Sequence, residues 1–182
     1  RQRQMCIRDR GRIIADNICG GDSRYLGSQG SSVIKVFDMT AATTGINETN
    51  AKKSGLEVDT VILSPMSHAG YYPGGKVMTM KVVFEKETYR LLGAQIIGYE
   101  GVDKRIDVLA TAIHAGLKAT QLKDLDLAYA PPYSSAKDPV NMAGFMIDNI
   151  AKGTLKQWHL EDMDKISRDK SVVLLDLSLI HI

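Results

Sequence analysis

A chain of 182 residues, 44% hydrophobic and 24% charged, holds enough apolar material for one globular domain and a small piece of a second. A net charge of +2 spread over scattered basic residues gives no electrostatic case for nucleic acid or an anionic membrane surface, and no apolar run reaches the length of a membrane span. The two cysteines, Cys6 and Cys19, have no partner set at metal-ligand spacing, which leaves no disulfide framework or metal site to expect and makes a reducing, cytoplasmic setting the default.

Residues 1–10 crowd four arginines around Cys6 without apolar periodicity, and residues 178–182 end the chain just after an apolar run. Both ends resemble translated read-through of a sequencing adapter, so they are expected to be a non-native leader and tail, with the natural protein extending in both directions. Residues 32–37 alternate and are rich in β-branched side chains, as a strand requires, and residues 58–63 form a second strand ahead of Pro65. Between them Asn47 can cap a short helix running to Lys53 and closed by Gly55. Residues 76–84 and 91–99 are apolar runs joined by the polar turn Glu85-Lys-Glu-Thr-Tyr-Arg90, which predicts a hairpin.

Val102, Ile106, Leu109, Ile113 and Leu117 then recur at spacings of three and four, a helix with Gly116 near its end. Its opening run, Asp103-Lys-Arg-Ile-Asp107, is read as a solvated or interface-bridging face. In Tyr129-Ala-Pro-Pro-Tyr133, two consecutive prolines stiffen a segment flanked by tyrosines. Asp138 follows as an N-cap and Pro139 as a first helical residue, and Met142, Phe145, Met146 and Ile150 predict the apolar face of a last helix stopped by Gly153. The plan is α+β, a small antiparallel sheet with packed helices.

The residues at these junctions carry a family resemblance. Gly11-Arg-Ile-Ile-Ala-Asp-Asn-Ile18 resembles the last helix of the FAD domain of pyridine nucleotide-disulfide oxidoreductases. Ile34-Lys-Val-Phe-Asp-Met-Thr-Ala-Ala-Thr-Thr-Gly45, His68-Ala-Gly-Tyr-Tyr-Pro-Gly74, Gly101-Val-Asp-Lys-Arg-Ile-Asp-Val108 and the Tyr129 loop are similar to the C-terminal dimerisation domain of that family, and most like its coenzyme A-disulfide reductase branch. Trp158-His-Leu-Glu-Asp-Met and Val172-Val-Leu-Leu-Asp-Leu177 resemble the opening of a rhodanese domain. The resulting division is 1–10 leader, 11–30 end of the FAD domain, 31–153 dimerisation domain, 154–177 linker and rhodanese start, and 178–182 tail.

The resemblance implies a homodimeric parent that uses FAD and NAD(P)H to reduce coenzyme A disulfide or a related persulfide or polysulfide, with neither cofactor retained by this fragment. It further implies that one subunit's dimerisation domain covers the partner's flavin site, offering Tyr71 and Tyr129 as catalytic phenols and Ala130 and Pro131 beside the cofactor. A phenol can donate a proton to a departing thiolate while staying neutral near pH 7. Set against that is interface packing, which remains open for Tyr71 and Tyr129 and is favoured for Tyr72 and Tyr133. No G-x-G-x-x-G occurs, and Gly20, Gly21, Gly27 and Gly30 lack its spacing. Cys19 is read as an inert small side chain, His68 as structural and His114 as a surface or interface residue, while Cys6, His159 and His181 receive no role. An NADH oxidase or peroxidase of the same architecture, or a non-catalytic oligomerisation module, are the alternatives.

Overall fold

The computed structural model describes residues 2–173, with side chains from Ile7 onward apart from those of residues 8 and 9. A helix, α1 (Gln2–Ile18), comes first, and its described side chains lie almost wholly in solvent, Ile14 and Ile18 included. The helix includes residues 2–10 of the segment read as a non-native leader, consistent with its Arg, Gln and Met residues being strong helix formers. The apolar run in residues 172–177 and the tail with His181 lie largely or wholly outside the described residues.

The centre of the molecule is one antiparallel sheet of five strands in the order β1-β2-β5-β4-β3. These are β1 (Ser32–Val36), β2 (Met39–Gly45), β3 (Val58–Leu63), β4 (Met78–Glu85) and β5 (Leu91–Gly98). The predicted hairpin is the sheet's middle, with Val82 opposite Ala94 and Met80 opposite Ile96. β2 has no counterpart among the predicted strands. Its Met-Thr-Ala-Ala-Thr-Thr-Gly sequence is too small and polar to signal a strand, yet it pairs with β1 on one side and β5 on the other. Where β2 ends, Gly45 at φ 65° faces Gly93, and a Cβ on Gly45 would come within 2.1 Å of the Leu92 carbonyl oxygen. Only glycine fits that approach.

The period-2 alternation of β4 turns Met78, Met80, Val82 and Phe84 to one face, where they meet Leu109, Leu122, Val140 and Ile147 in the main core. Each large apolar side chain buried there is worth about 1.5–3 kcal/mol. Two helices cover this face: α3 (Val102–His114) and α4 (Pro139–Ala151), with a 3-10 turn, η1 (Ala119–Asp124), between them. The opposite face carries a smaller cluster, Ala51, Val58 and Val83, beneath the short helix α2 (Glu48–Lys53). Asn47 caps α2 as predicted, its side chain accepting from the Asn50 N–H at 2.8 Å.

Helix α4 starts as its sequence dictates, with Asp138 accepting the Val140 N–H at 3.0 Å and Pro139 in the first turn. Its buried face differs from the predicted one. Val140, Ala143, Gly144 and Ile147 are buried, Met142 and Phe145 are 42% and 38% exposed, and Met146 and Ile150 lie at the margin. Small size explains the choice: a Cβ on Gly144 would sit 2.2 Å from the Lys123 amide nitrogen, so the helix meets η1 backbone against backbone along its smallest residues.

Beyond α4 the chain turns back along β3. Gln157 donates to the Thr60 carbonyl at 3.0 Å before a short 3-10 turn and the single-turn helix α5 (Met163–Ile166).

Candidate functional site: two tyrosine loops

Two loops meet on one side of the sheet. The first runs from Pro65 to Val77 and is closed at its base by the Met66–Val77 bridge and by Ser67 N–H donating to the Lys76 carbonyl at 2.7 Å. Its tip carries Tyr71, 77% exposed, and Tyr72, whose N–H closes a turn onto the Ala69 carbonyl. His68 is buried, its Nδ1 3.1 Å from the Ala69 carbonyl oxygen and its ring edge-on to Tyr72, which is the structural placement expected of it. The second loop is the proline segment, where the Ala130 carbonyl accepts the Tyr133 and Ser134 N–H groups and so folds Pro131-Pro132 into a turn.

The loops are joined directly. Ala69 N–H donates to the Ser134 carbonyl at 3.1 Å, and the hydroxyls of Tyr71 and Tyr129 stand 3.0 Å apart although the residues are 58 positions distant in the chain. Tyr129 is 46% exposed and Tyr133 72%, so all four tyrosines present much of their surface outward while two of them share a hydrogen bond. That bond with Tyr71 is the main reason the Tyr129 phenol is pushed above its ordinary value of 10.0. Either hydroxyl can be the donor in this pair.

Beneath both loops lies Arg105. The expectation of a solvated charged run fails at this residue: Arg105 is 1% exposed, the largest fully buried side chain described. It sits on the α3 stripe formed by Val102, Ile106 and Leu109, at helical spacing from apolar neighbours, and that spacing was the signal in the sequence. Its partner Asp138 is equally buried, with Nη2 to Oδ2 at 3.0 Å and Nε to Oδ2 at 3.2 Å. Burial alone would raise the Asp138 carboxyl, but the Ser134 hydroxyl at 2.6 Å, the Val140 N–H and Arg105 outweigh it and hold the carboxyl below its usual range. A cleft of about 180 Å³ opens beside this network, lined by Ser67, His68, Lys104 and Tyr133. The larger groove of about 440 Å³ runs along Val108, Thr111, Leu125 and Leu127, with Asp107 its one titratable group, and offers no comparable chemistry.

Other predicted positions stay apart. Cys19 is exposed at the end of α1, and Gly20, Gly21, Gly27 and Gly30 lie in the connection from α1 to β1 instead of a strand-to-helix turn. Ala130 and Pro131 are half-buried in the second loop, between Tyr129 and Tyr133 in the chain. His114 is exposed at the end of α3. His159, given no role by sequence, bonds Asp59. Among the described residues no cluster of three or more His, Cys, Asp or Glu could hold a metal, and no helix is long and apolar enough to cross a membrane.

Comparison with known proteins places this architecture. Residues 31–140 match the model for the dimerisation domain of pyridine nucleotide-disulphide oxidoreductases, and the chain belongs to that family. It is 39% identical over 134 residues to the coenzyme A disulfide reductase of Staphylococcus epidermidis, a match covering 73% of this chain and 30% of that protein. Among solved structures it superposes on reduced Bacillus anthracis CoADR-RHD with a TM-score of 0.83 at 49% identity, covering 86% of this chain and 28% of that one. An NAD-dependent persulfide reductase from A. fulgidus follows, with a TM-score of 0.78 at 44% identity over 85% of this chain and 29% of that one. The chain thus spans less than a third of the length of these relatives.

Proposed function

We propose that this chain is the dimerisation part of an FAD-dependent, NAD(P)H-using reductase of coenzyme A disulfide or a related persulfide, and that it supplies the partner-facing half of the active site. The observation that carries the reading is the contact between Tyr71 and Tyr129, two exposed phenols brought within hydrogen-bond distance by proline-braced loops in a chain whose relatives include a coenzyme A disulfide reductase. Exposed tyrosines gain little from pairing with each other in water, so an ordered pair suits a surface that is completed by something else.

In a two-fold dimer each subunit presents the same patch to the other. FAD, held by residues outside this chain, would pass electrons from the nicotinamide to the sulfur centre. The chain's own contribution is a proton: Tyr71 gives its proton to the departing sulfur, which leaves as the thiol, and the Tyr71 phenolate so formed accepts a hydrogen bond from the Tyr129 hydroxyl until solvent returns the proton. The Tyr129 phenol, pushed above its ordinary value chiefly by its bond with Tyr71, stays neutral near pH 7. Ala130 and Pro131, which follow Tyr129 in the same loop, would lie against the cofactor, excluding water from it. The segment after residue 153 would lead into a rhodanese domain in a cytoplasmic enzyme.

The test is a double replacement, Tyr71→Phe with Tyr129→Phe, in the full-length enzyme that contains this chain. Both rings remain and only the hydroxyls go. Stopped-flow release of coenzyme A thiol should slow by roughly 10²-fold, the usual scale for a lost general acid, with flavin content and dimerisation intact. Thiol release at the unaltered rate would reduce the two tyrosines to interface packing.

A further inference from the structure

We propose that Arg105 is a positioning residue whose buried guanidinium fixes the two tyrosine loops relative to each other and thereby sets the approach of Tyr71 to Tyr129. Its catalytic consequence rests on the role proposed above for the two phenols, but the geometry can be tested without it.

The guanidinium reaches four separate stretches of chain. Nη2 donates to the Ser67 carbonyl at 2.8 Å, four residues before Tyr71, and to Asp138 Oδ2 at 3.0 Å. Longer approaches of the same nitrogen, 3.4 Å to the Tyr133 carbonyl and 3.3 Å to Ser134 Oγ, reach the loop four residues after Tyr129. Nη1 donates to the Gly101 carbonyl at 3.1 Å, tying the fork to the start of α3. Gly101 is glycine for this reason as well as for its φ of 69°, since a Cβ there would fall 1.9 Å from Nη1. The roots of both loops are therefore fastened to one planar group, and their tips meet at the phenols.

A stable fold alone does not call for this arrangement. Replacing a buried ion pair with apolar residues of similar volume often leaves stability unchanged or improves it, so such pairs are weak evidence of a stabilising role. What a guanidinium supplies that an apolar side chain or a lysine cannot is several donors in one rigid plane, able to hold separate carbonyls at fixed mutual distances. Lysine at 105 keeps the charge next to Asp138 but has a single nitrogen, which cannot span Ser67, Gly101 and Asp138 at once.

The experiment uses this chain labelled with 13Cζ-tyrosine. Tyr71 and Tyr129 signals are assigned with Tyr71→Phe and Tyr129→Phe, and each is titrated with base. In the parent sequence Tyr71→Phe should lower the Tyr129 midpoint, because the shared bond is lost. In Arg105→Lys the Tyr129 midpoint should already lie near its unpaired value, and adding Tyr71→Phe should move it no further. A folded Arg105→Lys chain in which Tyr71→Phe still has its full effect overturns the proposal. If Arg105→Lys does not fold, the reading is taken on Arg105→Gln, whose shorter amide cannot span Ser67, Gly101 and Asp138 together; weakened coupling supports the proposal and full coupling overturns it. In the full-length enzyme Arg105→Lys should lower kcat on the order of 10- to 100-fold with KM little changed, the scale for a catalytic group displaced by up to an ångström. Lost coupling with unaltered turnover would confirm Arg105 as the positioning group and remove the phenols from catalysis.

Discussion

His159 Nε2 stands 2.9 Å from Asp59 Oδ1, a contact between residues 100 positions apart that brings the chain after α4 back onto the sheet. Gln157 strengthens it, donating to the same Asp59 oxygen at 3.1 Å and to the Thr60 carbonyl at 3.0 Å. β3 is an edge strand, bonded only to β4 within the sheet, and this segment covers part of its open side. Asp59 therefore acts as the anchor for whatever follows.

Replacing Asp59 with Ala should free the segment without unfolding the domain. The side chains are 37% and 22% exposed, so the pair is worth at most about 1 kcal/mol and the thermal midpoint should move little. Local opening responds far more strongly. Trypsin cleavage after Lys156 should accelerate several-fold in the variant, read by mass spectrometry of timed digests. Equal rates in the two proteins would mean that the contact does not hold the segment down.

Gly144→Ala should reverse the usual sign of a helix substitution. In an open helix interior Ala is favoured over Gly by about 1 kcal/mol. Here the added methyl would meet Lys123 N at 2.2 Å, Leu122 C at 2.7 Å and Leu122 Cβ at 2.9 Å, mostly backbone that cannot rotate aside. Overpacking of this kind costs about 1–3 kcal/mol, so calorimetry should show a lower midpoint. Gly11→Ala, in the open interior of α1 with nothing within 4 Å of its Cβ, should not lower that midpoint.

The sequence pattern was legible wherever the local signal and the tertiary environment agreed. Val58–Leu63 is the strand its β-branched run predicts, and Asn47, Asp138 and Pro139 begin their helices as their chemistry requires. β2 was illegible because pairing on both sides, and not its small residues, makes it a strand. The buried face of α4 differs from the one its largest apolar residues predict, because the close approach to η1 admits only the smallest. Arg105 was hidden by its charge, although its helical spacing already placed it on the buried stripe. Tyr71 and Tyr129 were singled out by family resemblance; no periodicity could have shown that their hydroxyls meet.

Acid should reveal the Glu48 cluster. Lys52 at 2.5 Å and Lys81 both bond this carboxylate, and together, with Lys52 the larger influence, they lower it from 4.5 to about 2. A carboxylate depressed in the folded state contributes stability above its unfolded value and loses it as pH falls toward the folded one. The window here runs from about 4.5 down to about 2. Solvent screening reduces the contribution of a partly exposed cluster to roughly 1 kcal/mol. Glu48→Gln should therefore unfold at lower urea than the parent at pH 7, with the gap closing progressively below pH 4.5. A gap of constant size down to pH 2 would show that the charge of Glu48 contributes nothing.

Self-association is the remaining expectation, and its surface can be named. A groove of about 400 Å³ lies between the end of β3 and α4, lined by Leu63, Pro65, Met142, Phe145 and Met146. It adjoins the stretch of chain that carries Tyr133 and Ser134, through Lys137, whose ammonium sits 4.9 Å over the Phe145 ring. Exposed apolar side chains gathered around one groove, in a domain whose family is defined by dimerisation, suit a second copy of the chain as the occupant. Stable homodimers bury on the order of 2,000 Å² or more in total, so the groove would form the centre of a wider contact. Sedimentation velocity at micromolar concentration should give a dimer for the parent sequence. Phe145→Glu places a charge in the middle of that contact and should shift the boundary to monomer, whereas Phe37→Glu, at the tip of the β1–β2 hairpin where Phe37 is 94% exposed, should not. A dimer that survives Phe145→Glu would place the two-fold contact elsewhere, and a folded parent chain that sediments as a monomer at every concentration would count against self-association of this domain.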